Sequence, residues 1–109
     1  MKNKTLLKKD LKMSIAKEII EQLGGAGRLV RFIGLSLVLE TNDGAVLKFP
    51  KSPLKVNMVK ITLNGLDLYD LEFSRSHGLN LKTLAVEKNV YAEDLVSFFE
   101  RNTGLYLSF

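Results

Sequence analysis

Residues 56–75 read VNMVKITLNGLDLYDLEFSR, two runs with a period of two around a short break. In the first run Val59, Ile61 and Leu63 fall on one face and Met58, Lys60 and Thr62 on the other. In the second, Tyr69, Leu71 and Phe73 alternate with Asp70, Glu72 and Ser74. Successive side chains of a strand point to opposite faces, so each run predicts a strand with one apolar and one polar face. The break, NGLD, is turn chemistry, since Asn, Gly and Asp tolerate positive φ. Strands joined by so short a turn pair antiparallel. A sheet with one charged face is covered on one side only.

Working outward, LSLVLET and AVLKF predict two further strands around a TNDGA hairpin turn. In LSLVLET, Leu35, Leu37 and Leu39 alternate with Ser36, Val38 and Glu40, which sets the leucines inward. RLVRFIG, rich in branched residues, reads as another strand, and PKSP interrupts the pattern because proline cannot donate to a ladder. SHG is a turn. LNLKTLAVE is a last strand whose alternation breaks between Leu81 and Leu84, where a bulge is expected.

Helices flank these runs. In DLKMSIAKEIIEQLGG, Leu11, Ile15, Ile19 and Leu23 recur every four residues, with Asp10 or Ser14 able to cap the start and Gly24 and Gly25 ending it. In YAEDLVSFFERNTG, Tyr91, Leu95, Phe98 and Phe99 share a face and Gly104 is the stop. The expectation is an α+β single domain over residues 1–109. It has an N-terminal helix, an antiparallel sheet of about five to six short strands and a C-terminal helix, both helices on one sheet face. The core expected from the periodicities is Ile15, Ile19, Leu23, Leu37, Leu39, Val59, Ile61, Leu63, Leu71, Phe73, Leu95 and Phe99.

The chain of 109 residues has no cysteine, which excludes disulfides, thiolate metal sites and a cysteine nucleophile. No apolar run approaches the ~20 residues of a membrane helix, and the basic N-terminus lacks the apolar core of a secretory signal. These features point to the cytoplasm and to no membrane partner. The net charge of +4 is uneven: residues 1–17 hold six lysines against Asp10 alone. Residues 1–9 are expected to form a flexible basic arm. Lys4, Lys8, Lys9 and Lys12, with Arg28 and Arg31, are candidate contacts for nucleic acid or an acidic partner. On a strand, however, Arg28 and Arg31 would point to opposite faces.

The glycines of EQLGGAGRLVRF (residues 21–32) do not make a phosphate loop. Such loops run from a strand through glycines into a helix, whereas here a helix runs through glycines toward an expected strand, and no Lys-Ser/Thr follows. His77 is the only histidine, has no metal-ligating neighbours in sequence, and reads as a turn residue. Asp67, Asp70 and Glu72 lie close together, but Lys48, Lys60 and Lys82 on strand positions offer cross-strand pairing instead of a metal. No catalytic, cofactor-binding or metal-binding residue is expected, and no cofactor. The tail NTGLYLSF places Leu105, Tyr106, Leu107 and Phe109 together. Gly104 should turn them back onto the fold; the other reading is a patch for a partner or a second copy of the chain.

Three segments carry a resemblance. IAKEIIEQLGGAGRLVRFIG, VKITLNGLDLYDLEF and VYAEDLVSFFERNTGLYLSF resemble a group of small uncharacterised proteins of bacteriophages and integrated mobile elements. The matching positions are Ile20 to Gly25, Val59 to Leu63, Tyr69 to Phe73, and Phe99, Arg101, Thr103, Gly104, Leu105 and Tyr106. Glu100 departs from the group's threonine, and the basic lead is longer. The resemblance implies a phage or mobile-element origin in a bacterial host cytoplasm and no particular activity. The function expected is that of a small non-enzymatic binding protein engaging a macromolecular partner, a protein, as a modulator of host machinery or defence. The alternative is a nucleic-acid binder using the N-terminal lysines with Arg28 and Arg31, and an enzyme is the last choice.

Overall fold

The computed structural model describes residues 15–107. The expected basic arm, Lys4, Lys8, Lys9 and Lys12, the caps Asp10 and Ser14, Leu11, and Phe109 lie outside the described residues. Helix α1 (residues 15–22) buries Ala16, Ile19 and Leu23. It ends as its glycines require. The Gly25 N–H bonds the Ile20 carbonyl at 2.8 Å and the Gly24 N–H bonds that of Glu21 at 3.0 Å, with Gly24 at φ 117°. Those two bonds close the helix in a Schellman turn.

The next element corrects the sequence reading. RLVRFIG is not a strand: α2 (Ala26–Ile33) is a helix bracketed by Gly25 and Gly34. Leu29 and Ile33 lie four apart and both are buried, while Arg28, Val30 and Arg31 face solvent. A branched composition favours strands only weakly, and burial of a helical stripe overrides it. Gly34 closes α2 in the left-handed region at φ 70°, with the Pro50 ring packed beneath it.

Five strands follow: β1 (Leu37–Glu40), β2 (Gly44–Lys48), β3 (Met58–Leu63), β4 (Tyr69–His77) and β5 (Asn80–Val90). They form one antiparallel sheet in the order β1-β2-β3-β4-β5, each strand paired with its neighbour in the chain. A short 3-10 turn (Ala92–Asp94) leads into α3 (Leu95–Thr103). The fold is α+β.

The core lies between one sheet face and the three helices. Ala45, Leu47, Val59, Ile61, Tyr69, Leu71 and Phe73 from the sheet meet Ile19 and Leu23 of α1, Leu29 and Ile33 of α2, and Leu95 and Phe99 of α3. Phe99 is its centre: the Phe49 and Phe73 rings tilt against it with centroids 5.7 and 6.5 Å away. Tilted aromatic pairs add to the burial of the rings themselves. Ile15 and Leu63 are partly buried at its margin. Burial pushes the Tyr69 phenol up from its ordinary value, the charge of Glu18 adds to this, and Gln22 opposes it.

Two expected core residues are exposed. Leu37 and Leu39 stand on the open sheet face, and Val38, opposite the buried Leu47, points to the helix side. Three consecutive apolar residues give no phase of their own, so β2 sets it through the register. Tyr91, expected on the apolar face of the last helix, is also exposed, because the chain turns through the 3-10 segment before α3 begins.

The tail folds back. Gly104 is left-handed at φ 77°, and a side chain there would crowd Pro53 at 3.1 Å. The Leu107 N–H then reaches the Glu100 carboxylate at 2.9 Å, and the Leu107 side chain is 2% exposed in the core. Leu107 therefore leaves the candidate association patch. Leu105 is half-buried, and Tyr106 remains exposed.

Candidate interaction surfaces

The register of β3 and β4 ends at Met58 opposite Ser74. Beyond that point β4 and β5 continue alone as a two-stranded ribbon, with Arg75 opposite Lys82, Ser76 opposite Leu81 and His77 opposite Asn80. His77 is thus a strand residue, and the turn is Gly78-Leu79. Gly78 at φ 60° in the first turn position suits the twist of a two-residue hairpin.

Asn57 supports the root of the ribbon. Its side-chain amide donates to the Ser76 carbonyl, and its oxygen accepts the Ser76 N–H, both at 2.8 Å. One side chain thereby replaces a ladder residue that β3 no longer supplies.

Two register shifts fall on β5. Leu84 is the extra residue between Thr83 and Ala85, where the alternation of the sequence breaks. The second shift lies near Asn89, which takes a left-handed φ of 57°. Its N–H donates to the Asp70 carboxylate at 3.0 Å, and Asn64 donates to both Asp70 (3.1 Å) and Asn89 (2.9 Å). The backbone bond from Asn89 holds the Asp70 carboxyl below its ordinary value, with smaller help from Asn64 and Lys88 against a desolvation cost. Bulges increase local twist and re-aim the strand that carries them.

The ribbon has two unlike faces. Arg75 and His77 alternate onto one side, and Lys82 joins them from across the hairpin. Ser76, Leu81 and Thr83 occupy the other. Leu79 at the tip is fully exposed, Leu81 is 60% exposed, and Leu84 and Val86 are exposed as well. No acidic residue occurs between Glu72 and Glu87. Among the described residues, no carboxylate lies within ion-pair distance of Arg75 or Lys82. Like charges directly opposite one another on a ladder repel. This corrects the expectation for Lys82, which pairs with a cation and not with an acid.

The remaining candidates are placed as follows. Arg28 and Arg31, being helical, are neighbours on the exposed side of α2 and not on opposite faces. The Arg28 side chain crosses Gly24, where a Cβ would sit 2.8 Å from its Cδ. The glycine turn leads from one helix into another, so it is a helix–helix corner and not a loop before a strand. Glu72 and Lys60 are register partners on the open sheet face, without an ion pair between them. Among the described residues, no three His, Cys, Asp or Glu side chains group as metal ligands would. No helix among them is long and apolar enough to cross a membrane. A further groove of about 360 Å³ runs between α1, the Gly25–Ala26 corner and β1, lined by Ala16, Ile20, Ala26 and Val38 together with Lys17, Glu21 and Glu40.

The ribbon was not foreseen as a site. Its signal in the sequence was the long acid-free run from Phe73 to Val86, whose leucines read as ordinary strand residues. No protein-family model matches this sequence, and no curated protein or solved structure matches it either.

Proposed function

We propose that this is a small non-enzymatic binding protein that engages a protein partner in the bacterial cytoplasm, and that it comes from a phage or mobile element. The observation that carries the binding reading is the β4–β5 ribbon. It extends past the sheet with cations on one side, exposed leucines on the other, and no acid of its own to neutralise it. Such a surface is complementary to an acidic protein that offers an apolar cleft: the leucines supply buried area and the cations supply orientation and steering. A phosphate backbone would satisfy Arg75 and Lys82 but leave Leu79 and Leu81 wet. The origin rests on the three matching segments described above.

The test compares the wild-type chain with a Leu79→Asp/Leu81→Asp variant, each immobilised and exposed to bacterial extract with and without nuclease treatment. A protein retained by the wild type and lost from the variant supports the reading. Retention that vanishes with nuclease treatment, or that is equal for both chains, overturns it.

One observation favours nucleic acid as a second reading: α2 presents Arg28 and Arg31 on one side. If they contact phosphates, duplex DNA should bind with strong salt dependence, and an Arg28→Glu/Arg31→Glu variant should flatten the salt slope by about two charges.

A further inference from the structure

Among the described residues, the outer edge of β1 pairs with no other strand. Proteins commonly protect such edges with lysine, proline, a bulge or a covering loop. Here Leu37, Val38 and Leu39 are 43%, 37% and 49% exposed, and β1 contains no lysine or proline. The Thr41 N–H bonds the Gly44 carbonyl toward β2. At the other end the Ser36 N–H bonds the Lys48 carbonyl, an irregularity in the ladder; between the two, alternation turns Leu39 toward β2 and the backbone groups of Val38 and Glu40 outward.

We infer that the chain forms a two-fold dimer by pairing β1 with β1 of a second copy, centred on Val38. Self-complementarity selects both the occupant and the register. A two-fold axis normal to the sheet keeps the faces aligned only when an even residue lies opposite an even one and an odd opposite an odd. Centring on Val38 sets Val38 opposite Val38 and Leu37 opposite Leu39. Across the helix side this makes a continuous apolar row, Leu47–Val38–Val38–Leu47. On the open side it pairs the exposed leucines with one another. Centring on Leu39 would instead set Val38 against the Glu40 carboxylate, and a one-residue slip would put valine and leucine on opposite faces. The groove lined by Ala16, Ile20 and Ala26 also borders Val38, so the same operation brings the two grooves together on the helix side. A foreign strand would satisfy the backbone groups but would not by itself match this pattern on both faces.

The chain has no cysteine, which gives a direct test of the register. Paired residues in such a ladder have Cα atoms about 4.5–5.5 Å apart, within the reach of a disulfide. Val38→Cys should cross-link to itself on mild oxidation. Leu37→Cys and Leu39→Cys should each stay uncrosslinked alone, being diagonal at about 7–8 Å, and should cross-link when mixed. Sedimentation of the wild type should show a dimer, and Val38→Lys should sediment as a monomer with an unchanged far-UV spectrum. If Val38→Lys fails to fold, the cross-linking pattern carries the test alone. A wild type that is monomeric at every concentration overturns the inference. So does a dimer that forms none of the expected cross-links or that persists in a folded Val38→Lys chain.

Discussion

Gly44 lacks a side chain because of its neighbour and not because of its backbone angle. It is outside the left-handed region, yet a Cβ built on it would fall 1.8 Å from the Ile61 carbonyl oxygen. The sequence suggested a turn glycine, since Asn-Asp-Gly has that chemistry, but the physical demand is for close approach of β2 to β3. Gly44→Ala should therefore destabilise by at least the ~1–3 kcal/mol typical of overpacking, read as a lower urea midpoint. Ile61→Ala, at a fully buried position, should cost about 2–5 kcal/mol in the same assay. Asp70 gives a pH signature. Its folded pKa lies below the ordinary aspartate value, so the folded state binds its proton less readily than the unfolded chain. Its stabilising contribution is complete above the ordinary aspartate pKa and is lost as pH falls through the lower folded value. Acid titration of melting temperature should show this loss in the wild type and a shallower one in Asp70→Asn.

Among the elements, legibility followed the clarity of the period. β3 and β4 were readable because apolar and polar residues alternate without exception from Val59 to Asn64 and again from Tyr69 to Ser74. The shift at Leu84 was readable because the alternation fails there. α2 was missed because only Leu29 and Ile33 mark its stripe, two residues that a short strand of branched residues also accommodates. The glycines at 25 and 34 that bracket its eight residues were the available signal. The phase of β1 was unreadable from Leu-Val-Leu alone and depended on the register with β2. The candidate ribbon stayed hidden because a strand's overhang beyond its neighbour is a property of two strands together. At this scale Lys82→Glu should separate stability from binding. Placing an acid opposite Arg75 should stabilise the hairpin by about 0.2–1 kcal/mol while weakening capture of an acidic partner, checked by melting and by the same retention assay.

For the whole molecule, the C-terminal tail is a structural strut. Leu107 is anchored through its N–H to Glu100 and through its side chain to the core, so Leu107→Ala should lower the melting temperature at every protein concentration, by about 2–5 kcal/mol of stability. Loss of a tail serving only association would instead change how the melt depends on protein concentration. Tyr106, left exposed beside it, should tolerate Tyr106→Ser with little change.

The order of the strands in space is their order in the chain. Every ladder is therefore a hairpin between consecutive segments, and no strand must wait for a distant one before it can pair. The entropy lost on closing each loop is that of a short connection. Search time, which in most sheets grows with the sequence distance between partners, here depends on connections of two to nine residues. Pairing outward from the β3–β4 hairpin in both directions is the folding order this meander predicts. It also shortens the interval during which an unpaired strand, in a nascent chain still being made, is available to the wrong neighbour.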